Sequence, residues 1–388
     1  MKTSYKLLLG AIILLAAALG LSKLKALPLN PLRERSPYSV RHYAWVQDYD
    51  NPRSLAVIDT RTDQVVRRYR MPWKKDLIPS SVDDHGNVYL YQVGLGLLQN
   101  KPYIFYPSKG VFVKHFETHG LLQTHVFRIG DRIFVSNNSN GEHFPAPPRG
   151  GSLEIYDARS FNMIKRFFYT DFGFPTDCSC WLDLQQQVFY VSVITLNSKG
   201  YSNEDTRTYF LTFDLKAMTQ LKQFPTDYWA SDSLNIAGDQ DNLYVLRSIP
   251  KYYGTRAEYE KHVLPSFCTF SKASIGPVSG PKHQAGFDSP LCYGAGIVAL
   301  EKYHRVILST VSRGIEFYAS PQLTLLQAYP EIKSVLSIKY VGNNKLYISV
   351  NDYDKNRVGI EVIDARTMKR RGFIPGRFGH FADNPYVE

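Results

Sequence analysis

The sequence predicts an all-β protein, a seven-bladed β-propeller of four-stranded antiparallel blades. Three observations predict it. First, an apolar strand ending in Asp or Ser, a tight turn and a second strand recur seven times along 388 residues. Second, the strand-end residues Asp59, Ser108, Asp157, Asp214, Ser271, Ser320 and Asp364 are spaced by 49, 49, 57, 57, 49 and 44 positions. A propeller blade repeats at about 40–50 residues. Third, the first copy lacks the short strand that precedes the others, while the C-terminus carries a spare one at Gly379–Asp383. A ring closed by a C-terminal inner strand pairing with the N-terminal blade accounts for both, and closure protects sheet edges.

The elements follow in order. The clearest copies are Leu55–Tyr69, Leu153–Phe167, Tyr209–Phe224 and Ile360–Phe373. More divergent copies are Tyr103–Phe116, Phe267–Ser279 and Ile315–Ala328. Upstream of each lies another strand: His42–Gln47, Val88–Val93, Arg132–Ser136, Val188–Val193, Leu243–Arg247, Val306–Thr310 and Leu346–Val350. The turns before these strands, such as Asp84–Asn87, Gly238–Asn242 and Gly342–Asn344, carry the Asp, Gly and Asn that hairpins need. Aromatic residues make up 14 % of the chain, with 27 Tyr and 22 Phe, and they suit pleated, half-buried surfaces. The Asp at the strand end has a structural explanation. Its carboxylate accepts hydrogen bonds from the backbone of the following turn, so it is given no catalytic role.

The stretches Val57–Val66 and Ile363–Lys369 resemble the repeat of the bacterial YVTN (YncE-like) propeller family. The resemblance covers the periodic frame of residues 42–383. It departs in the second strands, which read Val-Tyr-Leu-Tyr, Ile-Phe-Val-Ser or Leu-Tyr-Ile-Ser in place of the family's Tyr-Val-Thr-Asn. The resemblance implies a WD40/YVTN-like ring. It says little about activity, because propellers host many unrelated functions.

Three regions are expected. Residues 1–26 read as a signal peptide or an uncleaved signal anchor: Lys2 and Lys6 precede an apolar run, Leu7–Leu21. That run is shorter than the ~20 residues of a spanning helix and matches a signal-peptide core. Residues 27–40, with Pro28, Pro31 and Pro37, read as a linker, and residues 41–388 as the propeller. Either N-terminal reading places the propeller outside the cytoplasm: secreted, periplasmic, or membrane-anchored facing outward. Among the four cysteines, Cys268 and Cys292 sit in neighbouring repeats and are disulfide candidates, with buried thiols as the alternative. Asn137 opens an Asn-x-Ser sequon. The net charge of +11 suggests affinity for an anionic envelope surface, whereas nucleic acid is not an expected partner of an exported chain.

Strand alternation sends every second connection to the same side of a ring. The short turns share one face. The long connections, Gly94–Pro102, Asn137–Ser152, Thr195–Thr208, Ser248–Pro265 and Pro281–Gly296, share the other. Loops of this length without secondary structure of their own are commonly functional. Candidate ligand-binding residues on the channel rim are Trp73, Lys74, His119, Asp171, Trp229, Asp232, Asp288, Arg377 and His380. Aromatics beside charges hold polar ligands by stacking and hydrogen bonding. Trp73, Trp229 and Arg377 lead the list because aromatics and Arg dominate binding hot spots.

His115, His119 and His125 have metal-ligating chemistry, but they fall on different elements, so no metal site is expected. The chain contains no His-Glu-x-x-His, Gly-x-Ser-x-Gly, Cys-x-x-Cys-His or Gly-rich phosphate loop, so no cofactor and no catalytic residue are assigned. The resulting expectation is an exported, non-enzymatic binding or scaffold module. Its long-connection face would take a protein, peptide or glycan. The alternative is an enzyme or dehydrogenase subunit using the channel mouth, lactonase- or hydrolase-like.

Overall fold

The computed structural model describes residues 35–387 apart from 51–52, 73–75, 94–101, 120–122, 138–150, 170–173, 197–206, 227–235, 248–265, 277–281, 287–293, 311–312 and 354. Seven four-stranded antiparallel sheets follow one another around a ring. The first blade holds β1 (Tyr43–Asp48), β2 (Ser54–Asp59) and β3 (Gln64–Arg70). Its innermost strand is β28 (Phe378–Phe381), which pairs antiparallel with β1. The second blade is β4 (Asp76–Val82), β5 (Val88–Val93), β6 (Tyr103–Tyr106) and β7 (Val111–Lys114). The third is β8 (Gln123–Ile129), β9 (Arg132–Asn137), β10 (Ser152–Asp157) and β11 (Met163–Phe168), and the fourth β12 (Phe174–Asp183), β13 (Val188–Leu196), β14 (Arg207–Asp214) and β15 (Thr219–Thr226). The fifth is β16 (Ile236–Gly238), β17 (Asn242–Arg247), β18 (Ser266–Ser271) and β19 (His283–Gly286). The sixth is β20 (Gly294–Leu300), β21 (Arg305–Thr310), β22 (Gly314–Ala319) and β23 (Thr324–Tyr329). The seventh is β24 (Val335–Tyr340), β25 (Lys345–Asp352), β26 (Arg357–Asp364) and β27 (Arg370–Pro375). The expected ring, closed by a C-terminal inner strand, is the observed one.

The core is divided into seams between adjacent blades. Trp45, Leu55 and Val57 of the first blade pack against Leu77, Leu90 and Phe105 of the second. Tyr89 and Ile104 of the second meet Val126 and Val135 of the third, and equivalent clusters join the remaining pairs, the last being Val362 and Ile374 of the seventh against Val46 and Ile58 of the first. The middle strands therefore bury both faces, which is why β2 is buried at every position. The fourth strands are rims: β3 is largely exposed, and its Arg67, Arg68 and Arg70 discourage pairing with another chain.

The turns between third and fourth strands explain the repeat. The carboxylate of Asp59 accepts the Arg61 N–H at 2.9 Å, Asp157 that of Ser160 at 2.7 Å, Asp214 that of Ala217 at 2.8 Å and Asp364 that of Thr367 at 2.6 Å. Two marker positions need correction. In the second blade the equivalent of Asp59 is Tyr106, whose carbonyl accepts the Gly110 N–H at 2.8 Å, as that of Asp59 accepts Asp63 N–H at 2.8 Å. In the sixth it is Ala319, bonded in the same way to Leu323 N–H at 2.8 Å. Ser108 and Ser320 lie inside these turns. The main-chain bond closes the turn without a side-chain acceptor, and Pro107 presets the backbone angle in the second blade.

Both described ends of the chain lie on the short-turn face. Ser36 N–H donates to the His85 carbonyl at 2.7 Å, and the Tyr38 and Tyr69 hydroxyls meet at 2.8 Å. The Asn384 amide donates to the Val40 carbonyl at 2.5 Å. Asn137, at the end of β9, is fully buried.

Candidate functional site

The seven innermost strands, β28, β4, β8, β12, β16, β20 and β24, surround a central chamber of about 250 Å³. The lining residues come from the latter part of these strands, so the chamber lies toward the short-turn end of the channel. Its wall has two characters. Strands β24, β28, β4 and β8 supply Lys339, His380, Ser80, His125 and Arg128, with Asp383 just beyond β28. Strands β12, β16 and β20 supply Leu182, Ile236, Ala237, Ile297 and Val298.

The polar arc is an ordered set of contacts. Lys339 Nζ is paired with Asp383 Oδ1. The second oxygen of Asp383, Oδ2, stands 3.7 Å from His125 Nε2, beyond hydrogen-bond length. His125 Nδ1 is 3.4 Å from Ser80 Oγ, and that oxygen accepts the Val126 N–H at 2.8 Å. Ser81 Oγ donates to the Val126 carbonyl at 2.7 Å, so the paired serines stitch β4 to β8 and set the level of His125. Arg128 is held by Asp83 at 3.1 Å, and Asp83 also accepts the Asn87 N–H at 2.9 Å. Burial pushes the His125 imidazole below its ordinary pKa; Asp383 opposes the shift and Lys339 adds to it. Burial likewise lowers His380, and Lys339 pushes in the same direction. Both rings are therefore held neutral.

Ser80, His125 and Asp383 have the residue types of a nucleophilic triad. Their spacings of 3.4 and 3.7 Å exceed the 2.6–3.2 Å reach of a nucleophile–base pair, and Ser80 Oγ is committed to a backbone bond. The arrangement is better suited to holding a ligand than to activating a serine.

Of the residues expected on the rim, His380 is in this chamber. Arg377 is exposed at the other end, its guanidinium 5.8 Å from the Tyr353 ring centre, and its carbonyl accepts the Tyr49 N–H at 2.7 Å. His119 is exposed beside the third blade, where its N–H donates to the buried Glu154 at 3.0 Å. Trp73, Lys74, Asp171, Trp229, Asp232 and Asp288 lie outside the described residues. So does Cys292, while Cys268 is buried in the seam between the fourth and fifth blades. The three histidines weighed as metal ligands separate: His115 bonds Tyr106 at 2.6 Å and stacks on Phe161 at 4.1 Å, His119 is at the surface and His125 is in the chamber. Among the described residues no group of three or more His, Cys, Asp or Glu is placed to hold a metal ion. The residues missed from sequence as chamber groups are Ser80, His125, Arg128, Lys339 and Asp383.

No family model and no curated protein sequence matches the chain. Solved structures share the fold at low identity. The dihydro-heme d1 dehydrogenase NirN, solved in complex with DHE, is 12 % identical at a TM-score of 0.52, over 93 % of this chain and 78 % of that one. The hydrazine synthase of Kuenenia stuttgartiensis is 12 % identical at a TM-score of 0.55, over 80 % and 89 %. A functionally unknown protein from Desulfotomaculum acetoxidans is 12 % identical at a TM-score of 0.54, over 88 % and 98 %. These similarities establish a β-propeller.

Proposed function

We propose that this protein is a non-enzymatic binding or scaffold propeller of the YVTN/YncE-like kind. It works outside the cytoplasm and presents its long-connection face to a protein, peptide or glycan. The observation that supports this reading is the sorting of the connections. Turns such as 60–63, 130–131 and 365–369 are short on one face, whereas 94–102, 138–151, 197–206 and 248–265 leave from the other. A rigid ring of strands carrying long connections on one side is a usual platform for recognition. The apolar run Leu7–Leu21 supports export, and the net charge of +11 favours an acidic partner or an anionic envelope surface.

The test is capture of envelope partners by the immobilised full-length protein. Trp229→Ala and Arg377→Ala should each reduce recovery of the same partner at least tenfold, and Arg366→Ala, on the short-turn face, should not. The reading fails if Arg366→Ala abolishes capture while the other two leave it intact.

A further inference from the structure

The central chamber carries a chemistry that the long-connection face does not explain, and its charges can be followed one by one. The wall residues that can carry a charge near neutral pH are Lys339, Asp383, Arg128, His125 and His380; Tyr91, Tyr340 and Cys180 also line it. Asp83 neutralises Arg128. The two imidazoles are held neutral by burial. What remains facing the cavity is one cation and one anion side by side.

Neither member of that pair is saturated. An ammonium has three donors, and Asp383 Oδ1 takes one of those on Lys339. Among the described residues, His125 stands 3.7 Å from Asp383 Oδ2, beyond hydrogen-bond length, and that oxygen is left able to accept a donor. A simple anion entering here would meet the carboxylate of Asp383, and a simple cation would meet Lys339. A molecule carrying both charges on neighbouring atoms matches this partly exposed pair and satisfies both of its members.

The opposite wall sets the rest of the ligand. Leu182 and Val298, with Ile236, Ala237 and Ile297, which pack mainly into the blade seams, make the wall across from the polar arc apolar. Drug-sized ligands occupy pockets of about 300–1,000 Å³, so a chamber of about 250 Å³ suits something smaller. We infer that the chamber binds a small zwitterion with an apolar body, of the class of an apolar α-amino acid. Its carboxylate is taken by Lys339 beside His380, its ammonium by Asp383 Oδ2, and its side chain lies against β12, β16 and β20. This site is independent of the long-connection face.

The experiment compares three probes on the unaltered full-length protein: L-leucine, isocaproate, which lacks the ammonium, and isoamylamine, which lacks the carboxylate. Binding is read by calorimetry and by the NMR signals of the His125 and His380 rings. The expected result is saturable leucine binding that moves both ring signals, with each analogue at least tenfold weaker. Lys339→Met and Asp383→Asn should each weaken leucine at least tenfold; Asp383→Asn keeps the backbone that closes the ring. The inference is overturned if isocaproate or isoamylamine binds as tightly as leucine. It is also overturned if millimolar leucine leaves both ring signals unmoved, or if both variants bind it unchanged. The analogue comparison needs no substitution, so it decides the matter even where a variant fails to fold.

Discussion

Asp383 forms a parallel bridge with Ser81 of the second blade. Its N–H donates to the Ser80 carbonyl at 2.7 Å, and its carbonyl accepts the Val82 N–H at 2.9 Å. The closing strand therefore does more than complete the first blade. It runs on to tie the neighbouring inner strand, so ring closure spans the junction between the first and second blades.

Removing residues 376–388 takes away both β28 and this tie. The truncated protein should aggregate or melt at a much lower temperature. Removing only 382–388 leaves β28 paired and should lower the melting temperature by less. Thermal unfolding with size-exclusion chromatography distinguishes the two, and unchanged melting of the longer truncation would refute the closed ring.

Glu154 is fully buried on β10, ion-paired with Arg166 at 3.2 Å and bonded to the Tyr156 hydroxyl. Arg166→Ala removes one partner of this buried ion pair, and breaking such a pair typically costs about 3–5 kcal/mol. Replacing both partners with leucine should cost clearly less, since no charge is left stranded. Urea unfolding of the two variants measures the difference. Glu316 and Glu361 occupy the corresponding position in the sixth and seventh blades, paired with Arg313 and Arg357, and should behave alike.

His115 keeps a neutral ring down to a pKa of about 4 because burial disfavours its cation. An unfolded histidine titrates near pH 6.5. Between these values the unfolded chain binds the proton and the folded one does not, so this group's contribution to stability is full above about pH 6.5 and falls as pH drops toward 4. His115→Phe should flatten that part of the stability profile. An NMR titration giving His115 a midpoint near 6.5 would contradict the burial argument.

Strand content, blade number and ring closure were readable in the chain because each rests on local signals: alternating apolar runs, Asx turns and a spare strand. The chamber was much less readable. Ser80, His125, Lys339 and Asp383 come from four blades and meet only because inner strands far apart in sequence converge on one axis. His380 was expected on the channel rim, in the segment leading into the last inner strand, rather than in a chamber toward the short turns. Lys339 gave no comparable cue, since a lysine within Ser-Ile-Lys-Tyr reads as an outward charge on an ordinary strand. The displaced Ser markers have a local cause: the turn closes through main-chain groups, which leave no trace in residue identity.

Both ends of the described chain emerge among the short turns, residue 36 against His85 and residue 384 against Val40. The ring consequently has a handle side and a display side. An element joined next to residue 36 or residue 384 starts from the same surface, opposite the long connections. Two copies held on one support through these residues would present identical, outward-facing platforms.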